Sequence, residues 1–221
     1  MLLGAAGDFT YTTPVAAISL DINPSIELTV NRFDRVIAAT GYNADGEQVV
    51  AALDLKNKSY TAAMNAVLQD DTVASYLKDD GILEVTLTSG SQETMQQMQN
   101  CICAQTSVAA GQIYCTDRRE EVEAAHAAGV SFGKYRAFLE LQKIDPDVTV
   151  EEIKTLSMRE IRERIAAASG ETNRAATVTV KGKAATAAEM PETETAAPPA
   201  PKTVPATGTA TNTVRNKKGL L

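Results

Sequence analysis

Residues 25–30 (SIELTV) alternate strictly, with Ile26, Leu28 and Val30 apolar and Ser25, Glu27 and Thr29 polar, and Pro24 stands immediately before them. A period of two over six residues marks a strand with one buried face. Such a strand needs partners, and its flanks supply them. The run 15–22 (VAAISLDI) precedes an Asn23-Pro24 step, and 35–42 (RVIAATGY) follows Asn31-Arg32-Phe33-Asp34, whose residue types suit a hairpin turn. The chain therefore opens as a three-stranded antiparallel unit, which Asn43-Ala44-Asp45-Gly46 reads as closing with a further turn.

Beyond that unit the period becomes helical. Tyr60, Ala63, Met64, Val67 and Leu68 share one helix face. A shorter helix over Thr72 to Lys78 ends at Asp79-Asp80-Gly81 before a strand at 82–88 (ILEVTLT). Met95, Met98 and Ile102 mark the next helix, and after a break at Gly111 the run 112–116 (QIYCT) reads as a strand. Asp117 with Glu120 suits the start of a helix through about His126, stopped by Gly129; a second runs from Ser131 with Phe132, Tyr135, Phe138, Leu139 and Leu141 inward, to Asp145-Pro146. Two Ser/Thr-x-x-Glu capping boxes, Thr149 with Glu152 and Ser157 with Glu160, announce short helices over 150–156 and 158–168. The expected class is α+β: a mainly antiparallel sheet of three N-terminal and two later strands, with helices on one face.

Charge divides the chain. Residues 171–221 carry seven Lys/Arg against four Glu, no aromatic residue and five of the eight prolines, whereas residues 1–170 have a net charge of −10. An Ala/Thr/Pro-rich segment of this kind cannot bury enough apolar area to offset its ordering entropy, so residues 169–221 read as a disordered tail or linker. The acidic body offers no Lys/Arg stripe for phosphates, and nucleic acid is not an expected partner. Met1 to Gly7 is apolar but too short to span a membrane; it reads as an ordinary start or as the outer end of a span. Cys101, Cys103 and Cys115 are odd in number. They read as small apolar residues, with a Cys103–Cys115 disulfide open in an oxidising compartment. With His126 they would make four metal-ligand types, but zinc sites favour wider Cys pairs, and neither metal nor cofactor is expected.

Several enzyme and cation motifs fail. Gly129-Val130-Ser131-Phe132-Gly133-Lys134 is one residue short of a P-loop. Asp21, Asn23 and Ser25 have calcium-loop spacing, but Ile26 and Arg32 stand where Gly and Glu are needed. His126, the only histidine, has no neighbouring nucleophile in sequence. Asn23-Pro24 is different, because an Asn side-chain nitrogen can attack its own backbone carbonyl, close a succinimide and expel the next residue. Proline has no N–H to open the competing deamidation route. From spacing alone, an Asn-Pro between two strands reads as a plain turn, with self-cleavage the rarer alternative.

The segment Ser19 to Asp34 (SLDINPSIELTVNRFD) resembles the extracytoplasmic middle domain of RsgI-like anti-sigma factors. Asn43 to Gly46, the Tyr60 helix, Gly129 to Arg136 (GVSFGKYR), Ile144 to Asp147 and Leu156 to Glu160 extend the resemblance over residues 10–168. It implies a single-pass cell-membrane regulator whose cytoplasmic segment holds a sigma factor and whose middle domain lies outside, with residues 1–9 as a stump of the span. The membrane helix and sigma-binding segment are missing from this sequence. It also implies self-cleavage at Asn23-Pro24, with Asn23 the cyclising nucleophile, Pro24 the leaving amine, and Asp21, Ser25 and Glu27 able to orient the amide or carbonyl. Strand pairing would hold the two pieces together, and no external substrate is turned over. The rival reading is an uncleaved envelope module that binds a ligand such as cell-wall polysaccharide.

Overall fold

The protein is described by a computed structural model covering residues 10–78, 81–109 and 112–169. The breaks expected at Asp79-Asp80 and Gly111, the Met1 to Gly7 segment and the tail beyond residue 169 lie outside the described residues. Three strands come first: β1 (Pro14–Asp21), β2 (Ser25–Asn31) and β3 (Val36–Gly41). Next are α1 (Ala44–Ala52), α2 (Tyr60–Leu68), α3 (Asp71–Lys78), β4 (Glu84–Ser89), α4 (Gln92–Gln105) and β5 (Ile113–Thr116). The described part ends with α5 (Arg119–Ala128), α6 (Phe132–Gln142), α7 (Val150–Thr155) and α8 (Met158–Ala168). The strands form one sheet in the order β3-β2-β1-β4-β5, antiparallel except for β4-β5. That parallel pair requires a crossover, which α4 supplies.

The expected α+β class and mainly antiparallel sheet are what the chain adopts. The alternation in β1 and β2 sets the register: Ile18 faces Leu28 on one side and Leu87 on the other, while Ser19 faces Glu27 and Thr86. The apolar set packs with Met64, Val67, Val73, Met98 and Ile102 of α2, α3 and α4. The helices differ from the expected arrangement in occupying both faces. Gly133 of α6 lies against Ser19, Asp21 and Thr86 on the polar face. The last helices also form their own apolar centre from Phe138, Leu141, Ile153, Met158 and Ile161. A sheet face that looks solvated in sequence is therefore buried, with its polar groups bonded to the covering helices.

Two local readings change. Asn43 to Gly46 is not a closing turn: Asn43 is the N-cap of α1, its side chain accepting the Gly46 amide at 2.9 Å. Gly46 is buried inside that helix because a Cβ there would run into the Ser25 carbonyl and lie 2.9 Å from Asn43 Oδ1. The second concerns α7, where Thr149 caps the helix but Glu152 reaches Arg164 at 2.5 Å instead of closing a box. The Ser157–Glu160 box is complete. The Asn31 to Asp34 hairpin forms as expected, with Asn31 Oδ1 accepting the Phe33 and Arg35 amides at 2.9 and 3.0 Å and Asp34 at φ 59°.

Candidate functional site

The strand ladder ends at the Asp21–Ser25 pair, leaving Ile22-Asn23-Pro24 as the connection between β1 and β2. Within it the Ile22 N–H donates to the Pro24 carbonyl at 3.0 Å, while the Ile22 carbonyl accepts the Met158 N–H at 2.8 Å. The Ser25 N–H donates to Asn43 Oδ1 at 3.1 Å, so the α1 cap also stitches the far side of the turn. Pro24 is buried and Asn23 half-buried. The backbone around the step is thus gripped from α1 and α8, elements more than 100 residues apart in the chain.

The Asn23 side chain is gripped as well. Asn43 Nδ2 donates to Asn23 Oδ1 at 2.8 Å, which fixes which end of the Asn23 amide is oxygen. The Tyr76 hydroxyl of α3 donates to Asp45 Oδ2 at 2.7 Å, and the Asn23 side chain lies beside it. The Asp45 bond, with some burial, raises the Tyr76 pKa, and the Asn23 side chain works against the rise. None of Asn43, Asp45 and Tyr76 stood out as a site residue in the sequence. The helical-turn pattern at Asn43 was the signal available, since one residue that caps a helix also has an amide donor to spare.

Asp21, Ser25 and Glu27 lie close in sequence to Asn23, but the two carboxyl groups, of Asp21 and Glu27, bond elsewhere. Asp21 is fully buried, accepting from Ser19 Oγ at 2.6 Å and Ser131 Oγ at 2.5 Å. Glu27 accepts the Phe132 N–H at 2.6 Å and pairs with His126 Nε2 at 2.8 Å. Desolvation raises the pKa of both carboxyls above the ordinary range, against the lowering effect of these bonds. Burial also lowers the pKa of Lys134, which sits beside Asp21. Ser25 Oγ is buried near Asp21. These groups dock the start of α6 onto the sheet. His126, which sequence left without partners, stacks on Tyr42 with ring centroids 5.6 Å apart. Cys101, Cys103 and Cys115 are unbridged.

The strand–turn–strand unit and the helices around it correspond to a known domain: the anti-sigma factor RsgI-like central domain matches residues 15–140. The chain belongs to this family. Its relatives include three proteins of Acetivibrio thermocellus. Anti-sigma-I factor RsgI9 is 26% identical over 179 residues, covering 75% of this chain and 25% of the relative. RsgI7 is 25% identical over 162 residues, 69% of this chain and 30% of the relative. For RsgI6 the figures are 27% over 171 residues, 66% and 21%. The chain spans less than a third of the length of these RsgI relatives. Among the described residues no helix is long and apolar enough to cross a membrane.

Proposed function

We propose that this RsgI-like domain is the extracytoplasmic signalling module of an anti-sigma factor and that it cuts its own chain once, between Asn23 and Pro24. Asn23 Nδ2 attacks the Asn23 backbone carbonyl carbon, the bond to Pro24 nitrogen breaks, and that nitrogen leaves as a secondary amine. The amide gives up one proton and the amine gains one. Asn23 is left as a C-terminal succinimide that water opens. The observation that carries this reading is the hold on Asn23 itself: its side-chain oxygen is bonded across the turn by Asn43, while the neighbouring backbone groups are tied to Met158 and Asn43. Orientation of this kind is what an otherwise very slow intramolecular attack needs.

After the cut, β1 remains bonded to β2 and β4, so the pieces stay together until something pulls them apart. Separation would then expose the regulator to further proteolysis and free the sigma factor. Membrane anchoring, sigma-factor binding and any contact with cell-wall polysaccharide are assigned in this reading to the larger part of the RsgI relatives that the chain does not span. Intact-mass analysis of the freshly synthesised 221-residue chain tests the proposal. Two masses that partition at Asn23-Pro24, accumulating with time and absent from Asn23→Ala, are expected. A wild-type chain that stays whole for as long as Asn23→Ala refutes self-cleavage and leaves the uncleaved binding module.

A further inference from the structure

We propose that Tyr76 is the catalytic proton acceptor of the cut and that Asn43 and Asp45 are its positioning residues; this rests on the self-cleavage reading above. A carboxamide nitrogen is a poor nucleophile, and it must shed a proton as it bonds to the carbonyl carbon. Its orientation must also be decided, since rotating the Asn23 amide by half a turn would present oxygen where nitrogen is required.

Three side chains from α1 and α3 meet both needs. Asn43 Nδ2 donates to Asn23 Oδ1 at 2.8 Å, so oxygen occupies that end and the nitrogen the other. Asn43 has no freedom to reverse its own amide, because its Oδ1 already accepts the N–H groups of Gly46 at 2.9 Å and Ser25 at 3.1 Å. The Asn23 nitrogen is then the side chain's only donor, and the Asn23 side chain lies beside the Tyr76 hydroxyl, whose ionised form it favours. Tyr76 passes its own proton toward Asp45 Oδ2 at 2.7 Å. The path proposed for the proton runs from the attacking N–H through that hydroxyl to a carboxylate. As the N–C bond forms, the amide proton moves to Tyr76 oxygen and the Tyr76 proton to Asp45. Water protonates the departing Pro24 nitrogen, and Asp45 returns its proton to solvent.

Asp45 sits in the first turn of α1, where a negative charge is favoured by the helix dipole. The same turn holds Asn43 as the cap, so one short stretch, Asn43 to Gly46, both orients the nucleophile and receives its proton. Asp21 and Glu27, which bond to α5 and α6 residues, have no part in this path.

The test follows conversion of full-length chain into two pieces by intact mass after cell-free synthesis. It compares wild type, Asn23→Ala, Asn43→Asp, Tyr76→Phe, Asp45→Asn and Asp45→Glu. Asn43→Asp keeps the cap oxygen and loses only the donor to Asn23; it is expected to slow conversion about a hundredfold, the loss that misplacing a reacting group brings. Tyr76→Phe removes one half-buried oxygen and is expected to slow it about a hundredfold or more, as loss of a proton acceptor does. Asp45→Asn should behave like Tyr76→Phe, and Asp45→Glu should restore most of the rate, which a purely structural role for Asp45 would not require. Melting temperatures close to wild type for Tyr76→Phe and Asp45→Asn complete the expected result. If wild type never converts, the self-cleavage reading fails. If wild type converts and Asn43→Asp and Tyr76→Phe keep pace with it, self-cleavage stands and this inference is overturned.

Discussion

Replacing Gly133 with Ala sets two well-measured effects against each other. Gly133 is the second residue of α6, and by helix propensity alone Ala should stabilise by up to about 1 kcal/mol. The surroundings argue the reverse. A Cβ at this position would overlap Asp21 Oδ2 and lie 3.0 Å from both Ser19 Oγ and Thr86 Oγ1. Those three side chains are fully buried, and the Asp21 carboxyl is already held by Ser19 and Ser131, so none can swing aside. Room has to come from α6 backing off the sheet. That movement stretches the Ser131–Asp21 bond of 2.5 Å and the Phe132–Glu27 bond of 2.6 Å, each contributing about 1–3 kcal/mol. Overpacking itself costs about 1–3 kcal/mol. Net of propensity, Gly133→Ala should lose about 2–4 kcal/mol, lowering the melting temperature by roughly 5–15 °C for a domain of this size. Urea unfolding and thermal melts followed by circular dichroism read it directly. Gly90→Ala is the control, because nothing lies within 4 Å of a Cβ there; it should stay within about 0.5 kcal/mol of wild type. A Gly133→Ala protein as stable as wild type, or more so, would refute the close docking of α6.

Two further outcomes follow from the buried charges. Glu84, 2% exposed, pairs with Arg136 and accepts from Arg162 Nε at 2.8 Å and Nη2 at 2.5 Å, tying α6 and α8 to β4. Glu84→Ala should cost about 3–5 kcal/mol by urea midpoint, whereas Arg118→Ala, which breaks an exposed pair with Glu121, should leave the midpoint close to wild type; equal losses would remove Glu84 as the anchor. Asp21 titrates above its ordinary value of 3.8 because burial outweighs Ser131, Ser19, Ser25 and Lys134, so the folded chain keeps that proton to higher pH than the unfolded one. Its contribution is therefore fully present below the unfolded value and lost as pH rises through the folded one. Glu27 acts in the same sense, and Glu140 and Glu160, with lowered values, in the opposite one. The stability difference between wild type and Asp21→Asn isolates Asp21: wild type should lose ground as pH rises from the ordinary carboxyl range, and a flat difference would sink the assignment.

What the sequence displayed and what it hid have one physical source. Alternation is a local property, so Ile26, Leu28 and Val30 announced β2 and its apolar face before any contact was known. Capping is local too, and the Ser157–Glu160 box formed as read. Alternation does not say whether the polar side faces water. One buried face was read for β2, yet Glu27 on its other side is buried together with Ser19, Asp21 and Thr86 under α5 and α6, and Glu27 meets His126 from 99 residues away. One signal was available: α6, α7 and α8 carry apolar stripes of their own, and helices with such stripes need a second surface once the first is taken by α2 and α4. The candidate site divides in the same way. Asn23-Pro24 is visible as covalent chemistry, whereas Asn43, Asp45 and Tyr76 reach it only through the fold. Asn43 to Gly46 was misread because its turn-forming residue types are also those of a helix cap.

The strand order β3-β2-β1-β4-β5 places the first strand in the middle of the sheet. Withdrawing an edge strand leaves a smaller sheet that can wait for its return. Withdrawing β1 leaves two fragments, β2-β3 and β4-β5, with no ladder between them and with Leu28 and Leu87 facing a gap where Ile18 had been. No backbone ladder then sets the two edges at the spacing a returning strand would need, and the side-chain bonds of α6 to Glu27 and Glu84 are left to bridge them. A chain opened at the β1–β2 turn would therefore behave as a fuse: intact under load up to a threshold, and spent once the middle strand has left.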